Sequence, residues 1–171
     1  MTTILVLGGA RSGKSAYAQA QAEALAAQCR RTPILIATGQ AFDEDMADRI
    51  ARHRADRGER WVTREAPVDL PAQVRALQAG DVAVVDCLTL WLSNLMLGDH
   101  AVPAAAADLI EALAASAASI WLVSNEVGLG IVPETPLGRR FRDEAGRLHQ
   151  DLAASSDGVV FIAAGLPLIL K

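Results

Sequence analysis

Short apolar runs alternate with longer alanine-rich or amphipathic stretches along the whole chain. Runs rich in Val, Ile and Leu predict strands, and the stretches between them predict helices. The predicted strands span residues 3–7, 33–37, 61–65, 82–86, 119–124, 159–163 and a short last strand at 168–170. The predicted helices span residues 15–28, 43–57, 70–79, 89–97, 104–118 and 137–154. This alternation indicates an α/β fold with a mostly parallel sheet flanked by helices.

The domain organisation follows from length and from what separates the predicted elements. A chain of 171 residues fits one domain with its own core. No Gly/Ser linker, charge run or internal repeat divides it, so residues 1–171 are expected to form a single domain. The nearest approach to low complexity is the alanine-rich stretch 101–118, where Leu109, Ile110 and Leu113 supply one apolar side and predict a packed helix.

Composition narrows the function classes and the compartment. Hydrophobic residues make up 51% of the chain and charged residues 21%. A net charge of −4 argues against a nucleic-acid partner. The longest uncharged stretch near the C-terminus, 158–170, is shorter than the roughly 20 residues of a membrane span. The first strand begins almost at once, without a signal-peptide layout. Cys29 and Cys87 form no CxxC pair and are expected to be buried or partly buried thiols. We expect a cytoplasmic protein with no membrane span.

The turn after the first predicted strand fits the phosphate-binding pattern G-x-x-x-x-G-K-[ST], with a strand before it and a helix after it. Its backbone N–H groups would close on a phosphate, Lys14 would reach the β- and γ-phosphates, and the Ser15 hydroxyl would ligate Mg²⁺. The alternative is a chance glycine turn. The chain has only two lysines, Lys14 and Lys171, and a lysine placed inside the loop argues against chance. The loop consists of Gly8, Gly9, Ala10, Arg11, Ser12, Gly13, Lys14 and Ser15.

A carboxylate ends the apolar strand at 82–86. In phosphate-loop enzymes an acidic residue at such a position meets Mg²⁺ or its water shell. Because ligands of open α/β sheets sit at the carboxyl ends of strands, Asp86 would lie near the phosphates. The alternative is that Asp86 caps the helix beginning near Thr89.

Basic residues surround a histidine on the predicted helix 43–57. Arg49, His53 and Arg57 follow an i, i+4, i+8 spacing and would share one side of the helix. The two guanidinium groups favour the neutral imidazole, whose lone pair could attack a phosphate while the arginines hold the departing anion. The alternative is an ordinary solvated helix face.

A third stretch, 124–133, follows another apolar strand and contains two glycines and a proline. Its position at the carboxyl end of a strand suggests a shaped active-site segment. The two glycines and the proline could equally be ordinary turn residues, and the segment does not indicate a particular reaction.

Together these stretches resemble the bifunctional adenosylcobinamide kinase/adenosylcobinamide-phosphate guanylyltransferase family of cobalamin assembly. The resemblance spans nearly the whole chain, and its specific part is the His53 helix joined to the segment 125–133. Shorter matches occur at Ile36-Ala37-Thr38, at the Met46/Arg49-Ile50 pattern with Trp61, at Phe141-Arg142-Asp143 and at Gly146-Arg147.

The resemblance implies an activity, cofactors and an assembly. Family members phosphorylate adenosylcobinamide with ATP or GTP and then transfer GMP from GTP to the product, giving adenosylcobinamide-GDP and pyrophosphate. They are similar to RecA-type phosphate-loop proteins, and the resemblance implies Mg²⁺ and a homotrimer. GMP travels on a histidine, which maps onto His53; some relatives have a second histidine beside it, where this chain has Arg52.

The resemblance also implies nucleotide contacts. Besides the loop residues Gly8 to Ser15, they map onto Ala37, Thr38, Gly39, Arg54, Ala55, Asp56, Arg57, Glu65 and Asp86.

Two other functions are compatible with a phosphate loop. A plain small-molecule kinase would need the loop but not His53. A GTP-dependent switch protein would have no small-molecule substrate, and such switches commonly read guanine with N-K-x-D. Neither Lys14 nor Lys171 follows an Asn, which counts against the switch.

Overall fold

The computed structural model describes residues 1–40 and 60–171. Elements are numbered in chain order over these residues. The strands are β1 (Thr2–Gly8), β2 (Ile34–Ala37), β3 (Val62–Glu65), β4 (Val82–Asp86), β5 (Ser119–Asn125), β6 (Gly158–Ala163) and β7 (Leu166–Ile169). The helices are α1 (Lys14–Cys29), α2 (Leu70–Arg75), α3 (Leu88–Leu97), α4 (Val102–Ala115) and α5 (Pro136–Ser155).

The seven strands form one sheet in the order β3-β2-β4-β5-β1-β6-β7. Six strands run parallel, and β7 pairs antiparallel with β6. Ala164 and Gly165, between β6 and β7, both adopt positive φ, 51° and 80°. Positive φ at both central residues is what a tight two-residue hairpin turn requires. The predicted α/β class with a mostly parallel sheet is confirmed.

Helices cover both faces of the sheet. Alternate residues of the central strands belong to two separate apolar clusters, as the two-residue period of a strand requires. The first cluster joins one face of the sheet to helices α2 to α5. The second joins the other face to α1, where Ala18, Ala22 and Ala26 recur every fourth residue. Their small side chains let α1 lie close to the strands.

The element boundaries agree closely with the predicted ones, with one clear exception. Helix α2 ends at Arg75, although the pattern predicted a helix to residue 79. The Asp81 carboxylate accepts a hydrogen bond from the Gln78 N–H at 2.9 Å, and Gly80 adopts a φ of 82°. These local bonds turn the chain into β4 and stop the helix. The predicted helix 43–57 lies outside the described residues.

Two further expectations concern the thiols and the membrane. Cys87 is buried as expected, but Cys29 is exposed because it ends α1 on the solvent side, so the expectation of burial was wrong there. Across residues 1–40 and 60–171, none of the helices combines the length and the apolar character that crossing a bilayer demands.

Candidate active site

The phosphate loop joins β1 to α1 at the carboxyl edge of the sheet. Gly13, at the N-cap of α1, has a φ of 96°, and Arg11 has a φ of 55°. Lys14 begins the helix and is only 8% exposed. Its ammonium group donates to the carbonyl oxygen of Gly9 at 3.0 Å. The lysine therefore lies across the loop, where its charge and the helix N-terminus act on the same small volume.

Two residues of the loop, Gly8 and Ser12, pack closely against their neighbours. A Cβ on Gly8 would lie 2.5 Å from the Ser12 Oγ and 2.6 Å from the carbonyl oxygen of Ile162. The Gly165 N–H donates to the Ser12 carbonyl at 2.8 Å, so the β6–β7 turn supports the tip of the loop. The Ser12 hydroxyl is buried without a hydrogen-bond partner in the part of the chain that the structure describes. An unsatisfied donor beside backbone N–H groups suits an anionic ligand.

The strand register brings the predicted nucleotide residues to one edge. Ala37 of β2 pairs with Glu65 of β3 on one side and with Asp86 of β4 on the other. Gly8 of β1 pairs with Asn125 of β5, which lies between β1 and β4. The edge therefore carries Glu65, Asp86 and the phosphate loop in line, as the parallel arrangement predicts.

Asp86 does not cap the helix that follows it. Cys87 occupies the N-cap position of α3, and no side chain makes a capping hydrogen bond there. The Asp86–Cys87 peptide bond is cis. Asp86, which is partly buried, thus ends β4 at the carboxyl edge of the sheet, and the capping alternative is not supported.

Thr38 holds the end of β4 in place through the backbone of Cys87. Its buried hydroxyl donates to the Cys87 carbonyl at 2.7 Å and accepts the Cys87 N–H at 2.8 Å. The Asn94 amide in turn donates to the Thr38 carbonyl at 2.8 Å and to the Pro67 carbonyl at 2.9 Å. Thr38 therefore positions the residue after Asp86, and its predicted contact with nucleotide stays a prediction.

The electrostatics at Cys87 connect the loop to the strand end. Burial raises the pKa of the Cys87 thiol, and the neighbouring Asp86 carboxylate raises it further. The Thr89 hydroxyl, 3.1 Å from the sulfur, and the Lys14 ammonium group act in the opposite direction. The thiol stays protonated and unreactive. The side chains of Asp86 and Lys14 therefore act on the pKa of this thiol in opposite directions.

The segment after β5 is anchored to the same edge. The Asn125 amide donates to the Thr89 hydroxyl at 2.8 Å, and the Glu126 N–H donates to the Gly8 carbonyl at 3.0 Å. Farther along, Leu129 and Ile131 are exposed, the latter by 98%. The sequence pattern marked this segment as shaped, but the anchoring to Gly8 depends on strand order and could not be read from it.

The donor set fits Mg²⁺ rather than a tightly caged metal. A Ser15 hydroxyl and an Asp86 carboxylate are hard oxygen ligands, and Mg²⁺ is commonly held by one or two such groups plus phosphates and waters. Within residues 1–40 and 60–171, no cluster of three or more His, Cys, Asp or Glu could hold a metal. The residues present therefore suit a metal that arrives with a nucleotide.

The remaining predicted site residues are not placed by these observations. The histidine and the basic residues of the predicted helix lie outside the described part of the chain: Arg49, His53, Arg54, Ala55, Asp56 and Arg57.

Comparison with known proteins gives the chain its family. Residues 4–170 match the model of the cobinamide kinase/cobinamide phosphate guanyltransferase family, CobU. The chain belongs to this family. It is accordingly an enzyme that combines a kinase and a guanyltransferase, and the predicted family is confirmed.

Curated relatives of this cobinamide kinase/guanyltransferase align over almost their full length. The bifunctional adenosylcobalamin biosynthesis protein CobP of Pseudomonas aeruginosa is 49% identical over 170 residues, covering 98% of this chain and 96% of the relative. The protein named CobU in Escherichia coli is 39% identical over 184 residues, covering 98% and 99%.

Solved structures support the fold alone. One solved ATPase domain aligns with a TM-score of 0.53 at 13% identity, covering 94% of this chain and 68% of the other. The flagellar accessory protein FlaH of Methanocaldococcus jannaschii aligns with a TM-score of 0.50 at 15% identity, covering 99% and 78%. The phosphate-loop NTPase fold is confirmed.

Proposed function

We propose that this enzyme phosphorylates adenosylcobinamide with ATP or GTP and then transfers GMP from GTP to the phosphate, by way of His53. The observation that carries the proposal is the loop 8–15, with Lys14 lying across it, in a chain that matches the kinase/guanyltransferase family over residues 4–170. Both reactions use a nucleoside triphosphate, and this loop has the groups that a triphosphate requires.

In the first reaction the hydroxyl oxygen of adenosylcobinamide forms a bond to the γ-phosphorus, and the bond from that phosphorus to the bridging oxygen breaks. The hydroxyl loses its proton, and the nucleoside diphosphate leaves with the bridging electrons. Lys14 and the loop N–H groups hold the β- and γ-phosphates while charge moves toward the leaving group. This step needs positioning and charge more than it needs a protein nucleophile.

In the second reaction His53 is the nucleophile. An imidazole nitrogen attacks the α-phosphorus of GTP, a P–N bond forms, and pyrophosphate leaves. A phosphate oxygen of adenosylcobinamide phosphate then attacks the same phosphorus. The P–N bond breaks, the new pyrophosphate link forms, and the imidazole returns to its starting state.

Several further residues belong to the proposal. Those that contribute to the guanine-nucleotide site, as the family resemblance implies, are Arg54, Ala55, Asp56, Arg57, Ala37, Thr38, Gly39 and Glu65. Ser15 and Asp86 would hold Mg²⁺, which when bound offsets charge on the phosphates. The working unit is a homotrimer that draws on the nucleotide pool of the cytoplasm, with no nucleic acid involved.

The direct test is incubation of the protein with adenosylcobinamide, GTP and Mg²⁺, followed by mass analysis. Adenosylcobinamide-GDP and pyrophosphate are the expected products. With ATP alone the reaction should stop at adenosylcobinamide phosphate. Later addition of GTP should convert this phosphate to adenosylcobinamide-GDP. A plain kinase would stop at the phosphate with either nucleotide. A switch protein would hydrolyse GTP slowly and leave adenosylcobinamide unchanged.

A further inference from the structure

Ser124, His149 and Glu126 form a buried polar chain that the transfer reactions do not use. The Ser124 Oγ and the His149 Nε2 are 2.7 Å apart, and the two residues are 0% and 7% exposed. The other ring nitrogen, Nδ1, lies 3.7 Å from the Glu126 Oε2. The chain thus runs from strand β5 through helix α5 to the loop that follows β5.

The protonation of His149 follows from its surroundings. Burial lowers the pKa of His149, and the Glu126 carboxylate opposes this shift without cancelling it, so the ring is neutral near pH 7. A neutral imidazole has one N–H donor and one acceptor nitrogen. The carboxylate facing Nδ1 favours the proton on that nitrogen. Nε2 therefore accepts a hydrogen bond from the Ser124 hydroxyl.

These residue types are those of a serine hydrolase triad, but their burial excludes that chemistry here. Ser124 is completely enclosed, so its oxygen cannot reach a substrate carbonyl. The distance from Nδ1 to the Glu126 carboxylate also exceeds that of a hydrogen bond. What the arrangement does is turn an N–H dipole on helix α5 toward the Glu126 carboxylate at 3.7 Å, where the attraction is that of a dipole for a charge rather than a hydrogen bond.

Glu126 is the member that touches the nucleotide loop. Its backbone N–H donates to the Gly8 carbonyl at 3.0 Å, and its Oε1 accepts the Gly128 N–H. Glu126 therefore makes two bonds at the start of the segment 126–133. One closes a turn with Gly128, and the other joins the segment to Gly8, the first residue of the phosphate loop.

We infer that His149 is a positioning residue, which holds the Glu126 carboxylate and through Glu126 keeps the phosphate loop in its nucleotide-binding shape. The inference rests on the proposed function in taking the loop as the triphosphate site. Removing the dipole at Nδ1 frees the Glu126 side chain, the Gly128 amide loses its acceptor, and the contact with Gly8 loosens. Ser124 orients the ring but does not touch the loop.

Matched variants at one position separate the two ring nitrogens. His149→Asn keeps an N–H close to where Nδ1 stands and loses the group that meets Ser124. His149→Gln places an amide near Nε2 and loses the N–H toward Glu126. Ser124→Ala removes only the hydrogen bond at Nε2. Glu126→Ala removes the carboxylate from a side chain that is 23% exposed.

The experiment measures the Kd for a fluorescent GTP analogue, deuterium uptake by a peptide covering 126–131, and the unfolding midpoint of each variant. His149→Gln and Glu126→Ala should raise the Kd about tenfold, within the usual coupling between contacting groups, and should speed uptake at Gly128. His149→Asn and Ser124→Ala should lower the midpoint while the Kd stays within about twofold of the parent.

Two results would overturn the inference. The Asn and Gln variants could behave alike, or the Kd could follow the unfolding midpoint across all four variants with no change in uptake. A protein that binds the analogue but does not convert adenosylcobinamide would contradict the proposed function instead, and the Kd comparison would still decide the role of His149.

Discussion

The backbone N–H of Glu126 donates to the carbonyl of Gly8 at 3.0 Å, although the two residues lie far apart in the chain. The bond exists because β5 lies beside β1 and pairs Asn125 with Gly8. It ties the first residue of the phosphate loop to the segment that the family resemblance marks as specific. The behaviour of the loop is therefore expected to depend on residues of β5 and α5 as well as on its own glycines.

The two lysines provide a matched pair. Lys14→Ala should reduce both phosphoryl and guanylyl transfer about a hundredfold or more, because the ammonium group across the loop stabilises the transferring phosphates. Lys171→Ala should lower the free energy of unfolding instead, since its ammonium group donates to the carbonyls of Ala153, Ala154 and Ser156 at the end of α5. Steady-state rates and urea unfolding measure the two effects. Near-normal kinase turnover of Lys14→Ala would remove the loop from the mechanism.

Two adjacent glycines differ sharply in the space around them. A Cβ at Gly8 would meet the backbone oxygen of Ile162, which cannot move aside. Gly8→Ala should therefore cost about 1–3 kcal/mol of unfolding free energy. A Cβ at Gly9 has nothing within 4 Å. Gly9→Ala should therefore stay within about 0.5 kcal/mol of the parent. Urea unfolding of both variants checks the contrast. Equal destabilisation would show that the packing of Gly8 against β6 is not what requires glycine there.

His53 separates the bifunctional enzyme from an ordinary kinase. Protein incubated with α-labelled GTP should carry label that acid removes and alkali leaves, as expected for a P–N bond. His53→Asn should abolish this label and guanylyl transfer but should still phosphorylate adenosylcobinamide, because the kinase step needs the loop and not an imidazole nucleophile. Label that persists on His53→Asn, or that maps to His100 or His149, would contradict the assignment.

The buried imidazole predicts a pH dependence of stability. Because the pKa of His149 is lower in the folded protein than its ordinary value of about 6.5, the unfolded chain binds the proton more readily below that pH. Stability from this group is complete above about pH 6.5 and is lost as pH falls toward the folded pKa. Urea unfolding at several pH values should show that the free energy of unfolding falls more steeply with decreasing pH for the parent than for His149→Gln. His53 and His100 are present in both proteins and do not contribute to the difference. Glu126→Gln should steepen the loss, since the carboxylate is what holds the pKa of His149 up. Parallel curves for all three proteins would refute the assignment.

The assembly predicted from the family resemblance is open to a simple measurement. Sedimentation at assay concentration should give a trimer of the 18.0 kDa chain. If the segment around His53 completes a site at a subunit boundary, dilution to monomers should remove guanylyl transfer. A monomer with full activity would reject the trimer as the working unit.

The sequence by itself determined the strands, most helix ends and the phosphate loop. Local rules are sufficient there: apolar runs form buried strands, and Gly8, Gly13 and Lys14 have the spacing that a strand–turn–helix phosphate site imposes. The early end of helix α2 at Arg75 escaped prediction, because a hydrogen bond to the Asp81 side chain and a positive φ at Gly80 compete with helix continuation and the apolar pattern does not record them. The spacing of Arg49, His53 and Arg57 left the chemistry of His53 open, its role as the carrier of GMP came from the resemblance, and that role remains a prediction.

Only the tertiary structure decided which distant residues meet. That Thr38 holds Cys87, that Glu126 bonds to Gly8 and that His149 lies between Ser124 and Glu126 all depend on strand order and on the face that α5 turns to the sheet. In sequence, His149 is one polar residue in a helix rich in charges. Its burial raises the cost of an unpaired polar group, so its partners had to come from whichever elements packed against it. A one-dimensional pattern carries the period of each element but not the order in which the sheet assembles them, and the order fixes the contacts.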